Sequence, residues 1–168
     1  KLFLSDDIRE DIYDLFFVVK IGDTIEPFKI RIGNPKFKNK KFAFNNYLEK
    51  GELIYSITPY LTIKKFNLSL QIDEFEKDAY LYLKKMMKWG WILRLLNLHR
   101  DIWVVGERPY KAQDTGFHFF KYMRENHTDK EVYYVIEKDS PEYENLEELG
   151  NALIFKSKEH IKYTFLAK

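Results

Sequence analysis

Near residue 73 the apolar residues of this chain change from a repeat of two to a repeat of about 3.6, and two differently built parts follow from that change. Before it, Phe28, Ile30 and Ile32 alternate with Lys29 and Arg31, the pattern of a half-buried strand. Residues 13–21 form an earlier apolar run, and Gly22-Asp23 supplies a turn between the two. Gly33-Asn34-Pro35 ends the second strand, and residues 36–44 repeat the scheme with Phe37, Phe42 and Phe44 among lysines. Residues 52–58 and 61–72 predict further strands, with Pro59 and Asn67 as breaks. Short strands at this spacing predict a small antiparallel sheet or sandwich. Lys36, Lys38, Lys40 and Lys41 suit a solvated strand face that guards an edge, and would also suit phosphate.

From residue 73 to 89, Phe75, Ala79, Tyr82, Met86 and Trp89 recur at helical steps. Asp73 is placed to cap this helix, with Glu74 and Glu76 in its first turn, where the dipole favours acids. Gly90 is expected to end or bend it, and residues 91–98 predict a second short helix. Residues 79–100 hold five basic side chains, no acidic one, and Trp89 and Trp91. That is the chemistry of a helix at a membrane interface. On a helical wheel Lys84, Lys85 and Lys88 cluster, while Arg94 and Arg100 stand apart, which also fits a connector with solvated lysines.

From residue 101 the pattern is βαβαβα. Ile102-Trp103-Val104-Val105 is a nearly continuous apolar run, as buried parallel strands are. Asp114 and Thr115 offer helix caps before Phe117, Phe120 and Met123. Residues 132–136 form the second strand. Ser140, Pro141 and Gly150 bracket the next helix, residues 152–155 form the third strand, and Ser157 caps the last helix. Three such units predict half of a doubly wound parallel sheet with strand order 3-2-1. The fold class is therefore α/β with an N-terminal β-rich segment, and the second part is a partial Rossmann-like half. The predicted organisation is a β-rich accessory segment over 1–72, a helical connector over 73–100 and an α/β region over 101–168. Lys1 is not Met, and residues 165–168 still carry a helical pattern, so the chain is expected to be a piece of a longer protein.

Such sheets bind ligands beyond the carboxyl ends of their strands. The loop after the first parallel strand runs from Gly106 to Gly116 and has neither a G-x-G-x-x-G fingerprint nor a phosphate-binding G-x-x-x-x-G-K-[ST]. It offers Glu107, Arg108 and Asp114. The Arg108 fork can hold two phosphate oxygens, and Asp114 can accept hydroxyls or cap the helix. Equally, Glu107 and Arg108 can pair with each other. The chain has no cysteine, which rules out disulfides and thiolate chemistry, and its net charge of +2 gives no field for nucleic acid. Four scattered histidines, His99, His118, His127 and His160, have no metal-ligand spacing. Aromatics make up 17% of the chain, enough to fill sheet cores or to face sugars.

The run Ile102 to Pro109, then Ala112-x-Asp114-x-Gly116, Phe120-Lys121-Tyr122, Val132-Tyr133-Tyr134-Val135-Ile136 and Asn151 to Phe155 with Ser157 and His160, resembles the CDP-glycerol glycerophosphotransferase family. These are teichoic-acid and capsule polymer transferases. The resemblance covers residues 101–168, with a weaker echo in Pro59-Tyr60-Leu61-Thr62 and Asn67-Leu68-Ser69-Leu70. Thr115 stands where the family pattern has Asn, which puts an amide-specific contact there in doubt. The resemblance implies a two-halved GT-B type fold that moves glycerol-phosphate, or a related alditol-phosphate, from a CDP donor to a lipid-linked or polymeric acceptor. This first half would meet the acceptor through Arg108, Asp114 and Glu107. The CDP-glycerol or similar donor would sit in the other half, with no further cofactor. It implies a cytoplasmic enzyme, peripheral at the inner face of the cell membrane. The family's catalytic histidines lie in His-Gly segments, and none of the four histidines here stands in one, so no catalytic residue is expected in this chain. A sugar-transferring GT-B enzyme and a carbohydrate-binding accessory module are the alternatives.

Overall fold

The computed structural model describes residues 8–30 and 46–168. It divides into two compact units, Lys1–Lys77 and Asp78–Lys168.

The first unit is antiparallel. Strands β1 (Asp11–Asp14), β2 (Phe16–Ile21) and β3 (Thr24–Lys29) precede β4 (Asn46–Lys50), β5 (Leu53–Leu61) and β6 (Leu68–Glu76). They form a four-stranded sheet in the order β1-β6-β5-β4 and a separate β2-β3 ribbon. Gly22 opens the ribbon's turn at φ +60°, a conformation that glycine adopts without a Cβ penalty. The ribbon is tied to β6 by a backbone bond from Leu68 N–H to Ile30 C=O (2.7 Å), and Ile30 N–H donates back to Leu15 C=O (2.9 Å). Asp14 adds to this, accepting from the Ser69 hydroxyl at 2.6 Å and pairing with Lys29. Ile8, Tyr55 and Ile72 form the small core, with Leu48, Leu53 and Ile57 against it. The lysines at 36, 38, 40 and 41, and the strand expected over 36–44, lie outside the described residues.

Two expectations change here. Pro59 does not break its strand, since β5 runs through it and pairs Pro59 with Leu70. It lies past Ile57, the last residue of β5 with a described partner in β4, so no described bond to β4 needs its N–H. Nor does the helix begin at residue 73. Asp73, Glu74, Phe75 and Glu76 belong to β6 and pair with Ser56, Tyr55, Ile54 and Leu53. Asp73 is therefore not a helix cap, and the boundary falls after Lys77. Cross-strand pairing with a distant segment outweighs a helical spacing of four residues.

The second unit opens with α1 (Lys77–Leu96), one continuous helix. Gly90 neither ends nor bends it into two. A Cβ there would lie 2.6 Å from Phe165 Cδ1, so glycine is what lets the ring lie against the helix. The strands β7 (Ile102–Gly106), β8 (Glu131–Ile136) and β9 (Ala152–Ile154) form a parallel sheet in the order β7-β8-β9, as the periodicity predicts. Between and after them lie α2 (Thr115–Asn126), the single turn α3 (Glu144–Glu147) and α4 (Lys158–Leu166). Successive side chains of β8 point to opposite faces. Val132, Tyr134 and Ile136 pack with Phe120, Met123 and Leu146, while Tyr133 stacks on Tyr163 of α4 at 4.0 Å. The sheet is thus covered on both faces. Ala79 and Met86 of α1 pack with Ile161, so this helix is part of the second unit and not a free-standing connector.

Candidate functional site

The loop after β7 comes to the carboxyl end of the parallel sheet, and its shape is set from two sides. On one side is Glu107. Its carboxylate accepts the Asp114 N–H at 3.3 Å and the Phe117 N–H at 3.0 Å. These belong to the first turn of α2, whose N–H groups have no partner within the helix. Asp114 occupies the cap position yet makes no side-chain cap bond. Glu107 caps the helix in its place, and its negative charge complements the helix dipole. Gly116 leaves room for this, since a Cβ there would stand 3.0 Å from Glu107 Cγ and Oε1. Glu107 and Arg108 are therefore not the local ion pair that sequence left open.

On the other side the loop is held by the stretch that follows β8. The Tyr134 hydroxyl, fully buried, donates to the Lys111 carbonyl at 2.9 Å. Ser140 Oγ donates to the Tyr110 carbonyl at 3.0 Å, and Glu137 N–H donates to the Pro109 carbonyl at 2.6 Å. Glu142 accepts the Ala112 N–H. Burial, with the nearby carboxylates of Glu107, Glu142 and Asp114, raises the Tyr134 phenol far above its ordinary range, so it remains a donor. Ser140 was expected to cap a helix. It accepts the Glu142 N–H in a turn, and the helix that follows is the single turn α3.

Arg108 and Asp114 are left exposed on this held loop. Arg108 donates to the Tyr110 hydroxyl at 3.0 Å, and that bond, with Asp114 nearby, holds its pKa above the usual arginine value. Asp114 stands 4.0 Å from Lys111 Nζ and is 66% exposed. A cavity of about 510 Å³ adjoins the loop, but its wall is made by Gln113, Phe117, Lys121, Asn145 and their neighbours, and neither Arg108 nor Asp114 lines it.

The histidines do not gather. His160 has a side-chain hydrogen bond of its own. Its Nδ1 accepts the Lys156 N–H at 2.9 Å, and its own N–H donates to Ser157, the expected cap of α4. Burial lowers its pKa. Among the described residues, no three His, Asp or Glu side chains are grouped to hold a metal.

Arg100 leaves the basic group of α1, because its guanidinium is bound by both Glu131 oxygens. Lys84, Lys85, Lys88, Trp89, Trp91, Arg94, Leu95 and Leu96 are exposed. Arg94 is exposed as well, but on the helix it stands apart from the lysines. No helix among the described residues is long and apolar enough to cross a membrane.

Residues 1–72 match the family model described as TarS beta-glycosyltransferase C-terminal domain 1. That match falls on the stretch where the sequence resemblance was only a weak echo. The chain is also 30% identical, over 126 residues and 74% of its length, to the minor teichoic acid biosynthesis protein GgaB of Bacillus subtilis (strain 168). It spans 13% of the length of that relative. No solved structure matches it. Together the two likenesses support a cell-wall polymer transferase family, and neither singles out CDP-glycerol transfer.

Proposed function

We propose that the chain is part of a transferase that extends or decorates a cell-wall polymer. The parallel sheet would be the acceptor-side, Rossmann-like half of a GT-B type enzyme, and the first unit an accessory domain. The observation that carries this is the held loop after β7, which presents Arg108 and Asp114 at the carboxyl end of a parallel sheet. Arg108 would take two oxygens of an acceptor phosphate, and Asp114 a hydroxyl. Glu107 fixes the loop, and the remaining lone pairs of its carboxylate would meet the same hydroxyls.

In the finer form of this proposal the transferred group is glycerol-phosphate, or a related alditol-phosphate, from a CDP donor bound elsewhere in the longer protein. The reaction would be phosphoryl transfer governed by positioning and charge stabilisation. Sugar transfer is the second reading, favoured by the glycosyltransferase description of the family matched over residues 1–72. The exposed side of α1 that carries Lys84, Lys85 and Lys88, with the neighbouring tryptophans, would rest on an anionic membrane face.

The test uses the full-length enzyme with CDP-glycerol and with nucleotide-sugar donors. Arg108→Lys should abolish turnover despite keeping the charge, since Lys lacks the fork. Asp114→Asn should lower turnover with little change in melting. Wild-type turnover in both variants, or losses that only follow melting, would remove this loop from the site.

A further inference from the structure

We propose that the cavity between α2 and α3 is a second binding site, one that takes an uncharged, hydroxyl-rich sugar ring and not a phosphate. Phe117, His118 and Lys121 line it from α2, and Glu144, Asn145 and Glu148 line it from α3 and the turn after it. Gln113 closes the end at the loop. Besides His118, the wall carries one positive group, Lys121, and two negative ones, Glu144 and Glu148. Lys121 lies in addition 3.9 Å from Glu125. A phosphate would meet more negative than positive charge.

The nearby N-terminus of α2 would ordinarily attract phosphate through its free N–H groups. Here the Glu107 carboxylate accepts two of them and brings its own negative charge. The same wall suits vicinal hydroxyls well. Gln113 and Asn145 each offer both a donor and an acceptor, and the carboxylates accept only. Asn145 is partly oriented already, since its Nδ2 donates to the Ala112 carbonyl at 3.4 Å. Phe117 supplies the apolar surface on which the C–H face of a pyranose stacks. Its ring is held edge-on to buried Tyr134, with centroids 6.4 Å apart. Convergent polar groups beside an apolar ring are the usual elements of a small-ligand site, and here they line an open depression of the surface.

This site stands apart from Arg108 and Asp114, which do not line the cavity, so the two proposals fail separately. The 168-residue chain, labelled for amide NMR, is titrated with methyl β-glycosides of glucose and galactose and, in parallel, with glycerol 3-phosphate. The glycosides should shift the amide resonances of Lys121, Asn145 and Glu148 saturably at millimolar concentration, and glycerol 3-phosphate should leave them in place. Asn145→Ala should weaken glycoside binding by about tenfold, the scale of one lost hydrogen bond, with the rest of the spectrum unchanged. Arg108→Lys should bind glycoside like wild type. The absence of any saturable glycoside shift would overturn the site, as would an equal response to glycerol 3-phosphate or an unaltered midpoint in Asn145→Ala. Should Asn145→Ala fail to fold, Gln113→Ala in the loop serves the same comparison.

Discussion

Strands β2 and β8 have similarly apolar sequences, FFVVKI and EVYYVI, and opposite surroundings. In β8, Val132, Tyr134 and Ile136 are fully buried. In β2, Phe17, Val18 and Ile21 are 65%, 63% and 76% exposed. Both strands have their backbone bonds, β2 from β3 and β8 from two neighbours. The difference lies in what covers the faces. Helices pack on both faces of the parallel sheet, whereas every residue of the β2-β3 ribbon is exposed. Hydrogen-bonded pairing thus accounts for a strand's existence without accounting for its burial, and apolar sequence alone does not distinguish the two.

The contrast can be broken by mutation. Phe120→Ala opens a hole in the fully buried cluster against β8 and should cost about 3–5 kcal/mol in chemical denaturation, the range for large aromatic truncations. A cost under about 1 kcal/mol would mean that the cluster is far looser than its burial implies.

Next in size is Glu107→Ala, which removes the cap of α2 and should cost about 1–2 kcal/mol. Asp114→Ala, which removes a side chain without a cap bond, should cost much less. The reverse order in thermal melts would return the cap to Asp114.

The Arg100–Glu131 pair, partly exposed, should be worth about 1 kcal/mol in a double-mutant cycle. Arg100 holds the Glu131 carboxyl below its ordinary value of 4.5. A lowered carboxylate pKa contributes stability above the unfolded value, and that stability is lost as pH falls through the folded one. Wild type should therefore lose more stability than Glu131→Gln between neutral pH and pH 3, and parallel curves would leave the pair without net effect.

The smallest effect sharpens the comparison most. Val18→Thr on the ribbon should stay within about 0.5 kcal/mol of wild type, as surface changes do. The same change at Val132 places a hydroxyl in the core and should cost about 1–3 kcal/mol. Equal costs at the two sites would show that the ribbon face is covered in solution.

Much of this was legible beforehand because it is local. The Gly22 turn, the three parallel strands and the Ser157 cap each depend on a few neighbouring residues, and each stands where the spacing placed it. The candidate loop was legible too, since the carboxyl end of a parallel strand is a topological position. Its internal wiring was not. Glu107 reaches backbone seven and ten residues on, and Tyr134, Ser140 and Glu142 reach it from more than twenty residues away.

By itself, the amino-acid sequence determined the change of period, the parallel strand succession and the loop that carries Arg108 and Asp114, because propensity and turn chemistry act over a few residues. Tertiary structure alone decided the rest. β6 extends to Glu76 because β5 lies beside it, and Gly90 stands inside α1 where Phe165 takes the space that a Cβ would need. α2 is capped by Glu107 because the chain brings β7 to its first turn. In each case a partner distant along the chain outweighs a local preference, and such partners meet only once the chain is folded.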